Sequence, residues 1–522
     1  MAEQGKFSVA LILFVVSLGL LMVNLGKPMI YILDEAKNAE CAREMLVSGD
    51  YIVPEFNGQL RTDKPPLHYF FMIAAYKMFG VSAFSARFFS AVFGALTILV
   101  VYLFTRSYAG KRAALFGAVV LMASLHFNFQ MRLAVPDPYL IFWMTSSFMT
   151  FFLFLTKQKK IWLWLMYISI GLGLLTKGPI ALGLPGLIML VFLLLTGKFN
   201  WRTIRSFYIP AGILIVLAIA LPWYWLNYEV TNGEWTDRFF FKHNLGRYSD
   251  TMEGHGGFFL LPLLMVIVGL LPLGVFGISS ATLAMKRRSN EFQLFSLLIV
   301  GGIVVFFSFS QTKLPNYTAP AYPFAAILIG YFFDRLIKGE IRSSVVKWAY
   351  GFYTFVAFAI PAGVYFGLKA DKLMYAHSGL WIYFIALPAG AIIGWYVIRL
   401  RSWKKLFYVT AASFILTNIL FFARAYPAVY ADNPVSSSIK LLEGRRHIAY
   451  YGLMNSAYVF NLKRIIPHLS TPAELKEYLA LHPGATIISR KSSQPEIEAN
   501  TSLKPVFEQR DTFETPTTVI FR

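Results

Sequence analysis

The sequence predicts an all-α polytopic membrane protein with a small extramembrane α/β domain at its C-terminal end. Three observations carry that prediction. Of the 522 residues, 57% are hydrophobic and only 14% charged, with a mean hydropathy of +0.56, whereas a soluble chain averages roughly 25% charged. Apolar runs of about 18–22 residues, the length of a bilayer-crossing helix, recur along most of the chain. Beyond residue 430 the composition turns mixed-charge and rich in turn formers, as a water-facing domain requires.

The apolar runs fall near 7–26, 84–104, 113–130, 139–156, 161–175, 179–196, 207–227, 258–283, 293–310, 317–333, 346–367, 378–398 and 405–423, so about thirteen transmembrane helices are expected. The first run has no small-x-small cleavage pattern before the charged stretch that follows and is read as a retained helix. With Lys6 cytoplasmic, alternate short connections collect the basic clusters. These are Arg106, Lys111 and Arg112; Lys157, Lys159 and Lys160; Lys198, Arg202 and Arg205; Lys286, Arg287 and Arg288; and two further groups around Arg335–Lys347 and Arg399–Lys405. That is the pattern of cytoplasmic loops. The net charge of +21 is therefore topology and attraction to an anionic leaflet, and no nucleic-acid partner is expected. The single cysteine, Cys41, excludes an internal disulfide framework and a multi-cysteine metal site.

The opposite connections hold nearly all the remaining polar chemistry. The segment 27–83 carries Asp34, Glu35, Glu40, Glu44, Asp50, Glu55 and Asp63, seven of the 27 acidic residues. Its pattern predicts a helix from about Glu35 to Val47, a Gly-Asp turn at 49–50 and a rigid Lys-Pro-Pro corner at 64–66. Adjacent helical residues point about 100° apart, so Asp34 and Glu35 cannot both face one ligand. Either is a candidate catalytic carboxylate, or the pair is an acidic helix start favoured by the dipole. At the proline corner, Asp63 suits a base or metal ligand and Lys64 a phosphate; a simple loop ion pair is the plainer reading. Asp137 between two prolines, Lys177 before Gly-Pro and Lys313 before Leu-Pro are charges at the membrane boundary. They fit a pocket for an anionic lipid-linked group better than snorkelling anchors. Loop 228–257 adds His243 and Arg247, and Asp63, Asp137 and His243 are candidate ligands for a divalent metal, Zn or Mg.

These motifs resemble the GT-C membrane glycosyltransferases related to protein O-mannosyltransferases, and within them the lipid A aminoarabinose transferases. The resemblance covers residues 7 to about 425. It rests on Asp34-Glu35, AREMLVSGDY at 42–51, NGQLRTDKPPL at 57–67, Arg132 with Asp137, TKGP at 176–179, His243 to Arg247 and SQTKLPNY at 310–317. It implies a polyprenyl-phosphate sugar donor, lipid A or a similar envelope glycolipid as acceptor, and Asp34 as the base or acceptor-orienting carboxylate, with Glu35 and Asp137 as further catalytic candidates. Lys64 would contact the donor phosphate, with Arg61, Lys177, Arg247, Lys313 and Tyr317 as supporting groups. Where the family commonly has Glu, this chain has Asp63, one methylene shorter. A protein hydroxyl is the alternative acceptor.

Direct displacement on the sugar would invert its anomeric centre. No G-x-G-x-x-G or P-loop accompanies these motifs, so no nucleotide is expected. A lipid transporter, the non-enzyme alternative, would place ionisable groups at mid-depth in several helices; here they gather at helix ends. A monomer in the bacterial inner membrane is expected, with a cytoplasmic N-terminus and a periplasmic active site. Residues 1–430 are read as the catalytic membrane domain, including the juxtamembrane helices of 27–83. Residues 431–522 are read as the periplasmic domain, with strands at His447–Leu453 and Ala485–Ile488 and a helix at Pro472–Leu481.

Overall fold

The computed structural model describes residues 4–246, 257–512 and 515–522. The chain packs as two compact units: Met1–Val23, Thr62–His68 and Phe88–Phe422 form one, and Asn24–Arg61, Tyr69–Arg87 and Ala423–Arg522 the other. Packing thus groups most of 27–83 with the C-terminal residues, where composition had placed it with the membrane portion.

The N-terminal part contains α1 (Gln4–Met22), α2 (Leu33–Ser48), α3 (Leu67–Phe79) and α4 (Ala83–Ala123). The apolar runs all lie on helical segments, but not each on one unbroken span. Among the described residues, seven helical stretches are long and apolar enough to cross a membrane: Ala83–Ala123, Asp137–Lys157, Ile209–Val230, Glu291–Phe309, Ser343–Ala370, Tyr375–Arg399 and Trp403–Ala431. Helix α4 covers the run 84–104 and the first part of 113–130, and between them, at Gly110, the backbone leaves helical geometry. The run 258–283 is divided into Leu261–Gly269, a 3-10 turn at Leu273–Phe276 and Gly277–Lys286. Proline at position 272 removes a helical N–H and divides this run. The count of thirteen spans therefore does not follow from helix length.

Within the first unit, close packing uses small residues. A Cβ added to Gly330 would lie 2.5 Å from the carbonyl oxygen of Ala113 and 2.6 Å from the amide nitrogen of Gly117, and one added to Gly117 would lie 3.3 Å from the Ala326 oxygen. Ala113 and Gly117, like Ala326 and Gly330, are four apart, so two helix backbones meet along a small-x-x-x-small stripe. The few acidic residues among the basic connections tie helices to one another. Asp334 pairs with Arg112 at 2.6 Å and Lys338 at 2.8 Å, Glu291 pairs with Lys198 at 2.5 Å, and Glu340 with Arg287.

The second unit is built on a five-stranded sheet of order β4-β3-β5-β7-β6. Its strands are β3 (Ile448–Tyr451), β4 (His468–Leu469), β5 (Thr486–Arg490), β6 (Pro505–Arg510) and β7 (Thr517–Phe521). Strands β3, β4 and β5 are parallel, and β7 joins β5 and β6 antiparallel. Ala449, Tyr451, Leu469, Leu475, Ile487, Ile497, Val519 and Phe521 form its core. The helix read at Pro472–Leu481 is present, and Thr471 caps it by accepting from the amide of Glu474 at 3.2 Å. A short hairpin, β1 (Glu55–Phe56) and β2 (Gln59–Leu60), turns through Asn57 and Gly58 at φ 56° and 71°. This is the Asn-Gly turn whose twist matches paired strands.

The Gly330 contact yields a stability prediction. Gly330→Leu should separate the two helices and destabilise the protein by about 1–3 kcal/mol, the usual cost of overpacking. Lowered thermal midpoint of the purified variant checks this, with Gly351→Leu, where a Cβ meets nothing within 4 Å, as the silent control.

Candidate active site

The start of α2 is organised by an arginine. Arg87, the one charge between Lys77 and Arg106, is buried with Glu35, at 3% and 0% exposure of their side chains. Its Nε donates to Glu35 Oε1 at 2.7 Å and its Nη2 to Glu35 Oε2 at 2.7 Å. The remaining N–H groups donate to the carbonyls of Leu25, Pro28 and Met29 at 3.0, 2.6 and 3.3 Å. All five donors of a guanidinium are accounted for. Glu35 is thereby enclosed and holds the chain, while Asp34, beside it in the first turn of α2, is exposed. The sequence pair resolves into one structural and one accessible carboxylate.

Further along α2, Glu40 takes a two-pronged bond from Arg43 at 2.7 and 2.8 Å. Glu44 accepts the backbone N–H of Asn57 at 2.7 Å and of Gly58 at 3.0 Å, seating the hairpin tip. Burial pushes the Glu44 carboxyl up to about 7; the two amide bonds pull the other way and the neighbouring Glu40 adds to the rise. Arg61, expected near the donor phosphate, is buried and donates to Asn38 Oδ1 at 2.9 Å, on the face of α2.

The first unit assembles a second cluster from three separate turns. Asp137 Oδ1 accepts from Lys177 at 2.7 Å and from Asn316 Nδ2 at 3.0 Å, and the Lys177 ammonium lies 5.6 Å from the Tyr317 ring centroid. RLAVPD, TKGP and SQTKLPNY therefore meet. Lys313 is buried and donates to the Ser310 carbonyl at 2.6 Å. Lys64 is also buried, 4.0 Å from Asp63 at the proline corner. Arg132 is not a ligand group: it donates to the carbonyls of Leu20, Leu21 and Val23 at the end of α1 and lies over the Phe422 ring at 4.0 Å. A cation at a helix C-terminus satisfies carbonyls that have no helical partner.

Of the residues expected to hold a metal, Asp63, Asp137 and His243, the two aspartates are engaged by protein groups among the described residues. Asp137 already faces an ammonium group and an amide, and Asp63 faces Lys64. The His243 side chain and the whole of Arg247 lie outside the described residues. Among the described residues no three of His, Cys, Asp and Glu gather in a metal-holding group. Sequence reasoning also missed Arg87, Asn38 and Asn316. Only Arg87 left a signal, being a lone charge inside an apolar run.

Comparison with known proteins shows what the chain is similar to. Residues 11–236 match the family described as dolichyl-phosphate-mannose-protein mannosyltransferase. The structure superposes on crystalline ArnT from Cupriavidus metallidurans bound to undecaprenyl phosphate with a TM-score of 0.80 at 23% identity, over 98% of this chain and 97% of that one. The chain shares the fold of that ArnT structure. By sequence it is similar to aminoarabinose transferases. It is 28% identical over 498 residues to the undecaprenyl phosphate-alpha-4-amino-4-deoxy-L-arabinose arabinosyl transferase of Pseudomonas aeruginosa strain UCBPP-PA14, covering 91% of this chain and 87% of that protein. An uncharacterized protein of Aquifex aeolicus is 31% identical over 321 residues, which span 61% of this chain and 63% of that relative.

Two outcomes follow from the α2 contacts. Glu35→Ala leaves the Arg87 charge buried and should cost about 3–5 kcal/mol, read as loss of folded protein, with Glu35→Ala/Arg87→Leu costing less than the sum of the single changes. For Glu44 the folded-state pKa of about 7 lies above its ordinary 4.5. Its contribution to stability is therefore complete below pH 4.5 and is lost as pH rises through 7. The thermal midpoint should fall between pH 5 and 8 through this group, and Glu44→Gln should flatten that fall.

Proposed function

We propose that this protein is a glycosyltransferase that moves a sugar from a polyprenyl (undecaprenyl) phosphate to lipid A or a related envelope glycolipid on the periplasmic face of the bacterial inner membrane, with aminoarabinose as the sugar. The observation that carries this reading is the end-to-end similarity to the Pseudomonas aeruginosa transferase, over 91% of this chain. The ArnT crystal structure that shares the fold holds undecaprenyl phosphate, which supports a lipid-linked donor.

In the reaction, an acceptor oxygen forms a bond to the anomeric carbon while the bond from that carbon to the donor phosphate oxygen breaks. The electron pair leaves on the polyprenyl phosphate, and attack from the opposite side inverts the centre. Charge grows on the departing phosphate, and in this reading the ammonium group of Lys64 stabilises it. Lys177 supports this role less directly, since Asp137 and Tyr317 already engage it. Exposed Asp34 orients the acceptor and, where that is a hydroxyl, takes its proton; a phosphate acceptor has no proton to give up. The Arg87–Glu35 clamp fixes the helix turn from which Asp34 projects, so little reorganisation is needed.

The family match over residues 11–236 favours a second reading, in which the acceptor is a protein hydroxyl. Mass spectrometry of lipid A, from a host lacking its own aminoarabinose transferase, separates the two. A pentosamine-sized addition should appear with the wild-type gene and fall by about 100-fold or more with Asp34→Asn and with Lys64→Ala, since groups acting on transition-state charge are worth that much. Unmodified lipid A with well-inserted wild-type protein would overturn the lipid A assignment. A product that retains the donor's anomeric configuration would overturn direct displacement.

A further inference from the structure

The second unit contains a cleft that the reaction above does not use. It has a volume of about 540 Å³, and its wall includes Leu33 of α2, the residue before Asp34. The rest of the lining comes from Tyr31 ahead of α2, the loop after β3, the end of β5 with the residues that follow, and the start of β7 with the two residues before it.

Topology explains why a cleft lies there. In the order β4-β3-β5-β7-β6, the chain leaving β3 turns toward β4 on one side, and the chain leaving β5 runs on toward β6 and β7 on the other. The two connections part above the carboxyl ends of neighbouring parallel strands and leave a crevice. In open α/β sheets this switch point is where ligands bind.

The crevice has a braced polar floor. Asp511, fully buried, accepts from Arg490 Nη1 at 2.6 Å, from Asn455 Nδ2 at 3.0 Å and from Thr518 Oγ1 at 2.6 Å. Arg490 Nη1 also reaches Thr518 at 2.9 Å. Its Nε and Nη2 have no protein acceptor among the described residues, so one buried carboxylate fixes the guanidinium and leaves half of its donor fork unused. Lys491 beside it is 58% exposed, and its pair with Glu508 is a surface contact of low net worth, which a phosphate can displace. Around this floor stand the hydroxyl of Ser492 and the apolar Leu33 and Leu453, exposed by 44% and 75%. A fixed guanidinium fork with an ammonium group suits a phosphate, hydroxyls suit a sugar, and the apolar rim suits the first carbons of acyl chains.

We infer that this switch-point cleft binds the phosphorylated sugar headgroup of the acceptor glycolipid and delivers it to Asp34. The inference rests on the proposed transferase reading and deepens it by giving the C-terminal residues the task of acceptor recognition.

The test uses the full-length protein in detergent as wild type, Ser492→Trp, which fills the cleft, and Lys491→Ala, a milder surface change. Direct binding of lipid A and of phosphatidylglycerol is measured by native mass spectrometry, and transfer by steady-state kinetics with undecaprenyl-phosphate aminoarabinose. Ser492→Trp should weaken lipid A binding about tenfold or more and Lys491→Ala about threefold to fivefold, a loss of about 0.7–1.4 kcal/mol or more. Acceptor KM should rise in step, while donor KM, kcat and the melting temperature hold. Lipid A binding that is unchanged in both variants, or absent in the wild type, would overturn the inference. So would phosphatidylglycerol binding that equals lipid A binding and is equally lost in Ser492→Trp, because the cleft would then read any anionic lipid. Wild type that binds lipid A through the cleft yet transfers nothing to it would overturn the transferase reading and leave the binding site standing. Transfer with unchanged acceptor KM in both variants would do the reverse.

Discussion

The start of α2 depends on one buried ion pair. An unpaired buried arginine is ruinous, and so is a stretch of buried carbonyls without donors. Arg87 removes both costs by spending two donors on Glu35 and three on the carbonyls of Leu25, Pro28 and Met29. The segment between residues 24 and 30 makes no strand and no helix beyond a turn, so its backbone polarity has to be met by a side chain. A lysine could supply three donors from one point, but not the planar fork that grips a carboxylate and reaches carbonyls on its other edge. The register of α2, and hence the direction in which Asp34 projects, follows from this contact.

From α2 the restraint passes outward through a short relay. Glu44 seats the turn of the β1–β2 hairpin by its two amide hydrogens. Asn57 in that turn then reaches residue 466, donating to the carbonyl of Ile466 at 2.9 Å and accepting its N–H at 2.8 Å. Next to Ile466, the carbonyl of Pro467 accepts from the amide of Tyr450 and brings β4 onto β3. One asparagine thus does two jobs, taking the positive φ of the turn and completing a backbone-like pair with a distant segment. That double demand accounts for the Asn-Gly phrase and ties the hairpin to the segment that leads into β4.

The parts of the fold written in local pattern were legible. Apolar runs became helices, the proline corner at 64–66 precedes α3, and the helix read at Pro472–Leu481 is present. Span number was not legible, because a run of hydrophobic residues does not record where Gly110 or the prolines break it. Strands β6 and β7 were missed for a related reason. PVFEQR has only a short alternation, and TTVIF is buried almost throughout, so neither shows the period-two signal of a half-exposed strand. In the site, the outer turns could be placed on one face by charge alternation. Which carboxylate is buried against which partner is long-range information: Glu35 and Arg87 lie 52 residues apart, and Asp137 lies 40 from Lys177 and 179 from Asn316. No local pattern encodes such a pairing.

Pairing also sorts the acidic residues of the outer segment by what remains for a substrate. Glu35, Glu40 and Glu44 are buried and engaged by Arg87, Arg43 and two backbone amides. Asp50 closes a turn by accepting the amides of Ile52 and Val53 at 2.7 and 3.1 Å. Glu55 sits in the β1–β2 hairpin, and Asp63 adjoins Lys64. Asp34 alone combines exposure, a place in the first turn of a helix whose start is clamped, and a neighbour, Leu33, that lines the cleft of the C-terminal sheet. In the proposed transfer, a carboxylate that contacts a lipid-borne acceptor has to be accessible yet held still, and these contacts supply both conditions at position 34. Glu35, Glu40 and Glu44 are thus committed to holding α2 and the hairpin in place, and Asp34 is the exposed carboxylate in the helix start that Glu35 anchors.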